Sequence, residues 1–263
     1  MLALGCDLGA LATKTVLLMD GQIAAFDITP NQGHLADVAE ISLAKVLSRA
    51  GLKPESVPVR GGMGWGVKYI KYPHRPDTII NCLAAGALWL RPTARTVVDL
   101  GGLSTTVISM NEQGKVLEYR SNDRCASGTG FFIELVAQAL EMDLAEMDLA
   151  AQSASGRAHI GAQCAVFGES EVVSHVNDGV DTADIAAGVS YALGVAAATS
   201  VRRLGIVPEV LASGGVSKMS TVLAALSEKL AVEIIRPVVE PQLVGAIGAA
   251  LAAFRHSVSP PRT

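Results

Sequence analysis

The sequence predicts an α/β protein made of two similar lobes that face each other, and three observations carry that expectation. First, "LGCDLGALATKTVLLMDGQIAAF" near the start and "VVDLGGLSTTVISMNEQGKVLEY" further on repeat one pattern. In each, an apolar strand ends in Asp-Leu-Gly, a tight small-residue turn follows, and a second apolar strand leads through a glycine-containing turn into a third. Two copies of one strand unit imply two lobes rather than a solenoid. Second, a further glycine turn, "VLASGGVSKM", follows another strand and opens a helix. Third, 50% of the 263 residues are hydrophobic, much of that alanine, while aromatics make up only 4%. Such a composition suits small-residue helices packed closely on sheets and argues against disorder.

The elements follow in chain order. The first lobe, residues 1–94, holds the first strand unit, a polar-faced helix over "LADVAEISLAKVLSRAG", a strand near "VPVRG" and a helix over "DTIINCLAAGALWL". Glycine-dense "RGGMGWG" reads as a loop, on which an exposed Trp65 is a candidate docking residue. The break falls at "RPTAR", where Pro92 and polar residues separate two apolar segments. The second lobe, residues 95–263, holds the second strand unit, helices starting near Phe131 and Phe167, a long helix over 183–203, the strand "EVLASGG" and a closing helix. Glu169 and Glu171 are expected in the first turn of the helix near Phe167, where carboxylates suit the helix dipole. The tail "SVSPPRT" reads as disordered.

Charge and hydropathy exclude several classes. Net charge is −4, with 21 basic and 25 acidic residues mixed along the chain, so nucleic acid is not an expected partner. The N-terminus carries no basic flank and reaches Asp7 early, which makes it a poor signal peptide. The apolar stretch 185–201 is rich in Ala, Gly and Ser and reads as a buried helix rather than a membrane span. A cytoplasmic protein without a membrane partner is the expectation. The five histidines are scattered, with no ligand spacing.

The turns suit phosphate chemistry. Glycine lets backbone approach a bulky anion, and a hairpin turn can aim several N–H groups at phosphate oxygens. Asp7 and Asp99 occupy matching strand ends, where a carboxylate can hold a hydrated Mg2+. Lys14 can reach back as a point charge onto a phosphate. In the third turn, Gly214 and Gly215 would bring a helix N-terminus to the nucleotide. No GxxxxGK[ST] or GxGxxG pattern is present, so P-loop and Rossmann readings drop out.

Four cysteines occur with no CxxC pair. Cys6 lies in an apolar strand and Cys82 in a helical pattern, and both read as small buried hydrophobes. Cys125 in "NDRCASGTG" and Cys164 in "GAQCAVFGESEVV" instead each stand just ahead of a helix.

The duplicated Asp-Leu-Gly turns and the Asp7-to-Lys14 spacing resemble the actin-like ATPase superfamily, in which two ribonuclease-H-like lobes clamp ATP between two hairpin loops. Within it, the two cysteine motifs resemble the activators of 2-hydroxyacyl-CoA dehydratases and the ATPase subunits of benzoyl-CoA reductases, the BadF/BadG/BcrA/BcrD type. The resemblance covers nearly the whole chain, and it implies that the closing helix can cross back to the first lobe, so that the boundary at 94 need not be a single cut. It implies that Cys125 and Cys164 hold half of a [4Fe-4S] cluster shared between two subunits. It further implies that ATP and Mg2+ bind Asp7, Gly9, Thr13, Lys14, Asp99, Gly101, Gly102, Ser104, Gly214 and Gly215, with Asp7 and Asp99 as the catalytic carboxylates. Implied partners are a homologous ATPase subunit or a second copy of this chain, reductase or dehydratase subunits that bind a CoA thioester, and a ferredoxin-type electron donor. Two thiols per chain are half the thiolates such a cluster needs.

The chain departs from the activators at several positions. Ala10 and Leu11 replace hydroxyl residues after the first Asp-x-Gly, Leu103 and Ser104 stand where the activators have Gln-Asp, and Leu83 replaces a histidine. Leucine neither orients water nor binds phosphate, so weakened hydrolysis is expected, with Ser104, Thr105 and Thr106 as partial substitutes. These losses favour the smaller ATPase subunit of a benzoyl-CoA reductase over a homodimeric dehydratase activator. A small-molecule kinase of the same fold, with the cysteines as core thiols, and a non-catalytic nucleotide-binding subunit remain open.

Overall fold

The computed structural model describes residues 1–122, 129–161 and 165–258. Cys125 and Cys164, and residues 259–263 of the expected disordered tail, lie outside them. The first part of the chain runs β1 (Leu2–Leu8), β2 (Ala12–Met19), β3 (Gln22–Pro30), α1 (Leu35–Ala50), β4 (Arg60–Met63), β5 (Arg75–Pro76) and α2 (Ile79–Leu90). The second part runs β6 (Thr96–Leu100), β7 (Thr105–Met110), β8 (Val116–Asn122), α3 (Gly130–Ala139), α4 (Leu144–Ser153), α5 (Ala165–Asn177), α6 (Thr182–Leu204), β9 (Val210–Ser213), α7 (Ser220–Leu230), β10 (Ile234–Ile235) and α8 (Val244–Val258).

The expected α/β class with a duplicated strand unit is present as two five-stranded sheets, ordered β3-β2-β1-β4-β5 and β10-β9-β6-β7-β8. In each sheet the strand that ends in Asp-Leu pairs antiparallel with the strand leaving the turn, and parallel with a later strand. The matching order is the repeat expressed in space.

The chain forms two compact units. One comprises Met1–Thr93, Met110–Val116 and Val238–Thr263; the other comprises Ala94–Ser109 and Leu117–Pro237. The division is therefore discontinuous: α8 belongs to the unit that β1 begins, whereas a single cut after residue 94 puts it in the other. Its apolar face explains the return. Ala246, Ile247 and Ala250 share a core with Ala3, Val16 and Leu18. Close approach is written in small residues: a Cβ at Gly248 would stand 1.7 Å from the Cys82 carbonyl oxygen of α2. The second unit has its own core, built on Val98, Leu100 and Val107 of the sheet and Phe132, Met147, Ile185 and Leu193 of the helices. α6 meets the length and composition of a membrane span, but 67% of that window is buried inside the protein.

Helix ends follow local chemistry. Gly51 closes α1 in the left-handed region and donates to Leu47 and Ser48. Thr78 caps α2, and Asp181 caps α6. α4, not anticipated from its charged, weakly periodic stretch, opens with a reciprocal Asp143–Glu146 capping box.

Three local expectations need correction. The strand expected near "VPVRG" is Arg60–Met63, so two glycines of the supposed loop are strand residues. Glycine in a strand reads as a turn, yet Gly61 is needed under α8, where a Cβ would meet the Ala249 carbonyl oxygen at 2.0 Å. The turn at Gly214 does not open an α-helix directly: a 3-10 turn over Gly215–Lys218 intervenes before α7. Glu169 and Glu171 lie beyond the first turn of α5, which starts at Ala165.

Candidate functional site

The first turn is built on the β1–β2 hairpin, whose register sets Asp7 opposite Lys14 and Leu8 opposite Thr13. Strand pairing therefore brings the carboxylate and the ammonium to one place, with Lys14 Nζ 2.6 Å from Asp7 Oδ2 and each side chain only 12% exposed. Lys14 Nζ also donates to the Ala12 carbonyl at 3.1 Å. The turn closes through Gly9 N–H donating to the Ala12 carbonyl at 3.2 Å. Ala10 and Leu11 lie at its tip, half-buried.

Two neighbours of this turn were not evident from the sequence. Asn31, just past β3, donates through Nδ2 to the Gly9 carbonyl at 2.8 Å and accepts from Thr13 Oγ1 at 2.7 Å. The "GMGWG" segment also packs here: Gly66 N–H donates to the Leu8 carbonyl at 2.8 Å. Gly64, at φ +98°, lies so close that a Cβ would stand 2.6 Å from Asp7 Oδ1. Trp65 in the same segment is 56% exposed. The start of α8 approaches as well, a Cβ at Gly245 falling 3.7 Å from Asp7 Oδ2. A largely buried carboxylate–ammonium pair ringed by glycines sets one positive charge, one carboxylate and backbone N–H groups close together, donor chemistry that suits a phosphate and a hydrated divalent ion.

The second turn repeats the plan in the other unit. Asp99 lies opposite Thr106 across β6–β7, and Gly101 N–H donates to the Ser104 carbonyl at 2.9 Å. No lysine matches Lys14 here; Asp99 Oδ1 instead accepts from Ser213 Oγ at 2.7 Å, at the end of neighbouring β9. Gly214 follows in the left-handed region at φ +85° against the Leu100 carbonyl. Asp99, Gly101, Gly102, Ser104, Gly214 and Gly215 thus gather at one edge of this unit. Leu103 is exposed beside them.

This turn is also tied to the helices that follow the two cysteine motifs. Gly130 N–H donates to the Gly101 carbonyl at 2.9 Å, and Phe131 N–H to the Gly102 carbonyl at 2.8 Å. The first turn of α3 therefore directs its otherwise unpaired N–H groups to the glycine turn. In α5, Gly168 packs on Phe132, where a Cβ would stand 2.7 Å from the ring. Glu171 accepts from Gly161 N–H at 2.5 Å, pinning the residue just before the second cysteine motif's 162–164.

Cys6 and Cys82 are buried free thiols. Burial pushes the Cys6 thiol up to about 11 and raises Cys82 as well, so neither is a ready thiolate. Among the described residues no group of three or more His, Cys, Asp or Glu could hold a metal ion. With Cys6 and Cys82 committed to the core, Cys125 and Cys164, outside the described residues, are the remaining cysteines, and α3 and α5, which follow them in sequence, touch through their first turns.

Residues 4–253 match the BadF/BadG/BcrA/BcrD ATPase family. The activator of lactoyl-CoA dehydratase from Anaerotignum propionicum is 34% identical over 255 residues, covering 97% of this chain and 98% of that protein. A benzoyl-CoA reductase subunit from Thauera aromatica is 30% identical over 263 residues, covering 96% and 93%. Among solved structures, the activator of the 2-hydroxyisocaproyl-CoA dehydratase from Clostridium difficile with bound ADPNP superposes with a TM-score of 0.92 at 31% identity, covering 100% of this chain and 99% of that one. With the repeated Asp-Leu-Gly hairpins and this match along nearly its whole length, the chain belongs to the BadF/BadG/BcrA/BcrD ATPase family and has the actin-like ATPase fold.

Proposed function

We propose that this protein is an ATP-dependent activator of the 2-hydroxyacyl-CoA dehydratase type, pairing with a second copy of itself. This corrects the preference for a reductase subunit drawn from Ala10, Leu11, Leu83 and Leu103. Relatives named as dehydratase activators match over nearly the full length at higher identity than the reductase subunit, and one of them superposes closely.

The observation that carries the reading is the pair of backbone hydrogen bonds from the start of α3 to the Gly101–Gly102 turn. Asp7, Gly9, Lys14, Asp99, Gly101, Gly102, Ser104, Gly214 and Gly215 would take the phosphates of ATP and their Mg2+, while Thr13, fully buried and bonded to Asn31, stands behind the turn and not on the phosphate. Lys14 would leave Asp7 for a phosphate oxygen, freeing Asp7 to accept from metal-bound water. Any shift of the glycine turn between ATP and ADP moves α3 with it, because its first N–H groups are bonded there. Phe132 against Gly168 passes the shift on to α5. Cys125 and Cys164, each a short stretch of sequence from these helices, would hold half of a [4Fe-4S] cluster, completed by the second copy. When bound, such a cluster supplies one low-potential electron to a CoA-thioester-binding partner.

The test is iron and acid-labile sulfide per chain after strictly anaerobic purification, with native mass. About two iron atoms per chain, mostly lost in Cys125→Ser, and a dimer of identical chains are expected. Iron-free protein would sink the reading and favour a kinase of the same fold. Iron bound only alongside a different homologous chain would return the reductase subunit.

A further inference from the structure

Asn31 is distant in sequence from the first turn, yet its backbone N–H and both ends of its side-chain amide meet it. The backbone N–H donates to the Leu11 carbonyl at 2.8 Å. Its side-chain Nδ2 donates to the Gly9 carbonyl at 2.8 Å and the Ala10 carbonyl at 3.3 Å. Its Oδ1 accepts from Thr13 Oγ1 at 2.7 Å, and Thr13 is fully buried. The two carbonyls fix which way the amide faces, since they can only accept and so require its NH2 end, and the Thr13 hydroxyl then donates to the amide oxygen and holds it there.

Peptide geometry gives this arrangement a consequence. In a planar trans peptide the C=O and the N–H point in opposite directions. Drawing the Gly9 and Ala10 carbonyls toward Asn31 therefore turns the N–H groups of Ala10 and Leu11 to the far side of the turn. Neither of those N–H groups has an acceptor among the described residues. Two successive N–H groups aimed the same way form an anion-binding concavity. Side chains at positions 10 and 11 cannot take this part, because neither alanine nor leucine carries a hydroxyl.

We propose that Asn31 is a positioning residue for nucleotide phosphate: its amide takes the Gly9 and Ala10 carbonyls and so presents the Ala10 and Leu11 N–H groups to a phosphate oxygen. The role deepens the proposed ATP-dependent function and rests on it. Asn31 itself touches no phosphate; it holds the turn in the conformation that does. Thr13 acts one step further back, by holding the amide oxygen.

The test is titration of ADPNP with Mg2+, and of AMP, into the full chain, with a thermal melt for each variant. Asn31→Ala removes both donors without adding charge. Asn31→Asp keeps the acceptor for Thr13 but loses the donors. Both are expected to weaken ADPNP by about tenfold or more, the scale of one or two hydrogen bonds to a charged group, while AMP affinity stays within about twofold. Thr13→Val, which removes the bond holding the amide oxygen, is expected to fall between wild type and Asn31→Ala, and it carries the test if the Asn31 variants do not fold. Equal losses for ADPNP and AMP would mean general damage and overturn the proposal, as would unchanged ADPNP binding. Wild-type protein that binds no ADPNP would instead remove the nucleotide reading itself, and this role with it.

Discussion

At Gly64 the backbone stands at φ +98°, and an added Cβ would fall 2.5 Å from the Leu8 carbonyl oxygen and 2.6 Å from Asp7 Oδ1. Both obstacles are held in place, one by a strand and the other by its ion pair with Lys14. Gly64→Ala is therefore expected to cost at least about 1–2 kcal/mol from the left-handed backbone alone. It should also displace Asp7, so ADPNP affinity should fall in protein that remains folded; urea denaturation and titration check the two effects separately. Retained stability and affinity would show that this loop does not brace the carboxylate. Residues of this kind divide by sequence distance. Asp7 and Lys14 were legible because they lie seven residues apart on either side of one short glycine turn, whose length sets the hairpin register. Gly64 and Asn31 reach the same turn through β4 and β3, and no short-range pattern announces that meeting.

Among the elements, α7 shows how one carboxylate can serve as the cap of a distant helix. Met219 stands at its N-cap without a side-chain bond, and Asp148 of α4 supplies the missing acceptor. Asp148 accepts from the N–H and hydroxyl of Ser220 at 3.0 and 2.9 Å, and from those of Thr221 at 3.0 and 2.5 Å. Burial works against its charge, but the bonds from Thr221 and Ser220 outweigh it and hold its pKa below the ordinary aspartate value. Asp148→Ala is expected to cost about 1–2 kcal/mol, the upper part of the range for a lost N-cap, since the site is only partly shielded from solvent. A depressed folded-state pKa contributes stability above the unfolded value and loses it as pH falls through the folded one. The difference between wild type and variant should thus be full near pH 7 and shrink below about pH 4. Urea melts at both ends of that range measure it, and a pH-independent difference would mean the ionised carboxylate is not the cap. The Asp-x-x-Glu signature at residues 143–146 was the signal for α4, masked by the weak apolar periodicity of the residues that follow.

On the scale of the whole molecule, α8 decides which residues belong together. It lies over β1, β2 and β4, far from them in sequence, and contributes Ala246, Ile247 and Ala250 to their core. A chain ended at Pro237 is expected to lose amide-exchange protection over β1–β4 and α2. Protection over residues 117–237 should persist, since the core of that unit lies within its own residues. Equal loss in both regions would show that the units do not hold separately. Relatedness acts at this scale too: the losses at Ala10, Leu11 and Leu103 suggested a reductase subunit, but similarity summed over the whole chain favours the dehydratase activators. By itself the sequence determined the α/β class, the duplication, the two Asp-Leu-Gly turns and the family, since each is carried by local periodicity or by residues a few positions apart. Only the tertiary structure decided that Asn31 and Gly64 shape the first turn, that α3 is bonded to the second, that Asp148 caps α7 and that the closing helix returns to the beginning. Those contacts arise because sheets and close-packed small residues bring distant segments to within hydrogen-bonding distance, and no period along the chain encodes such a meeting.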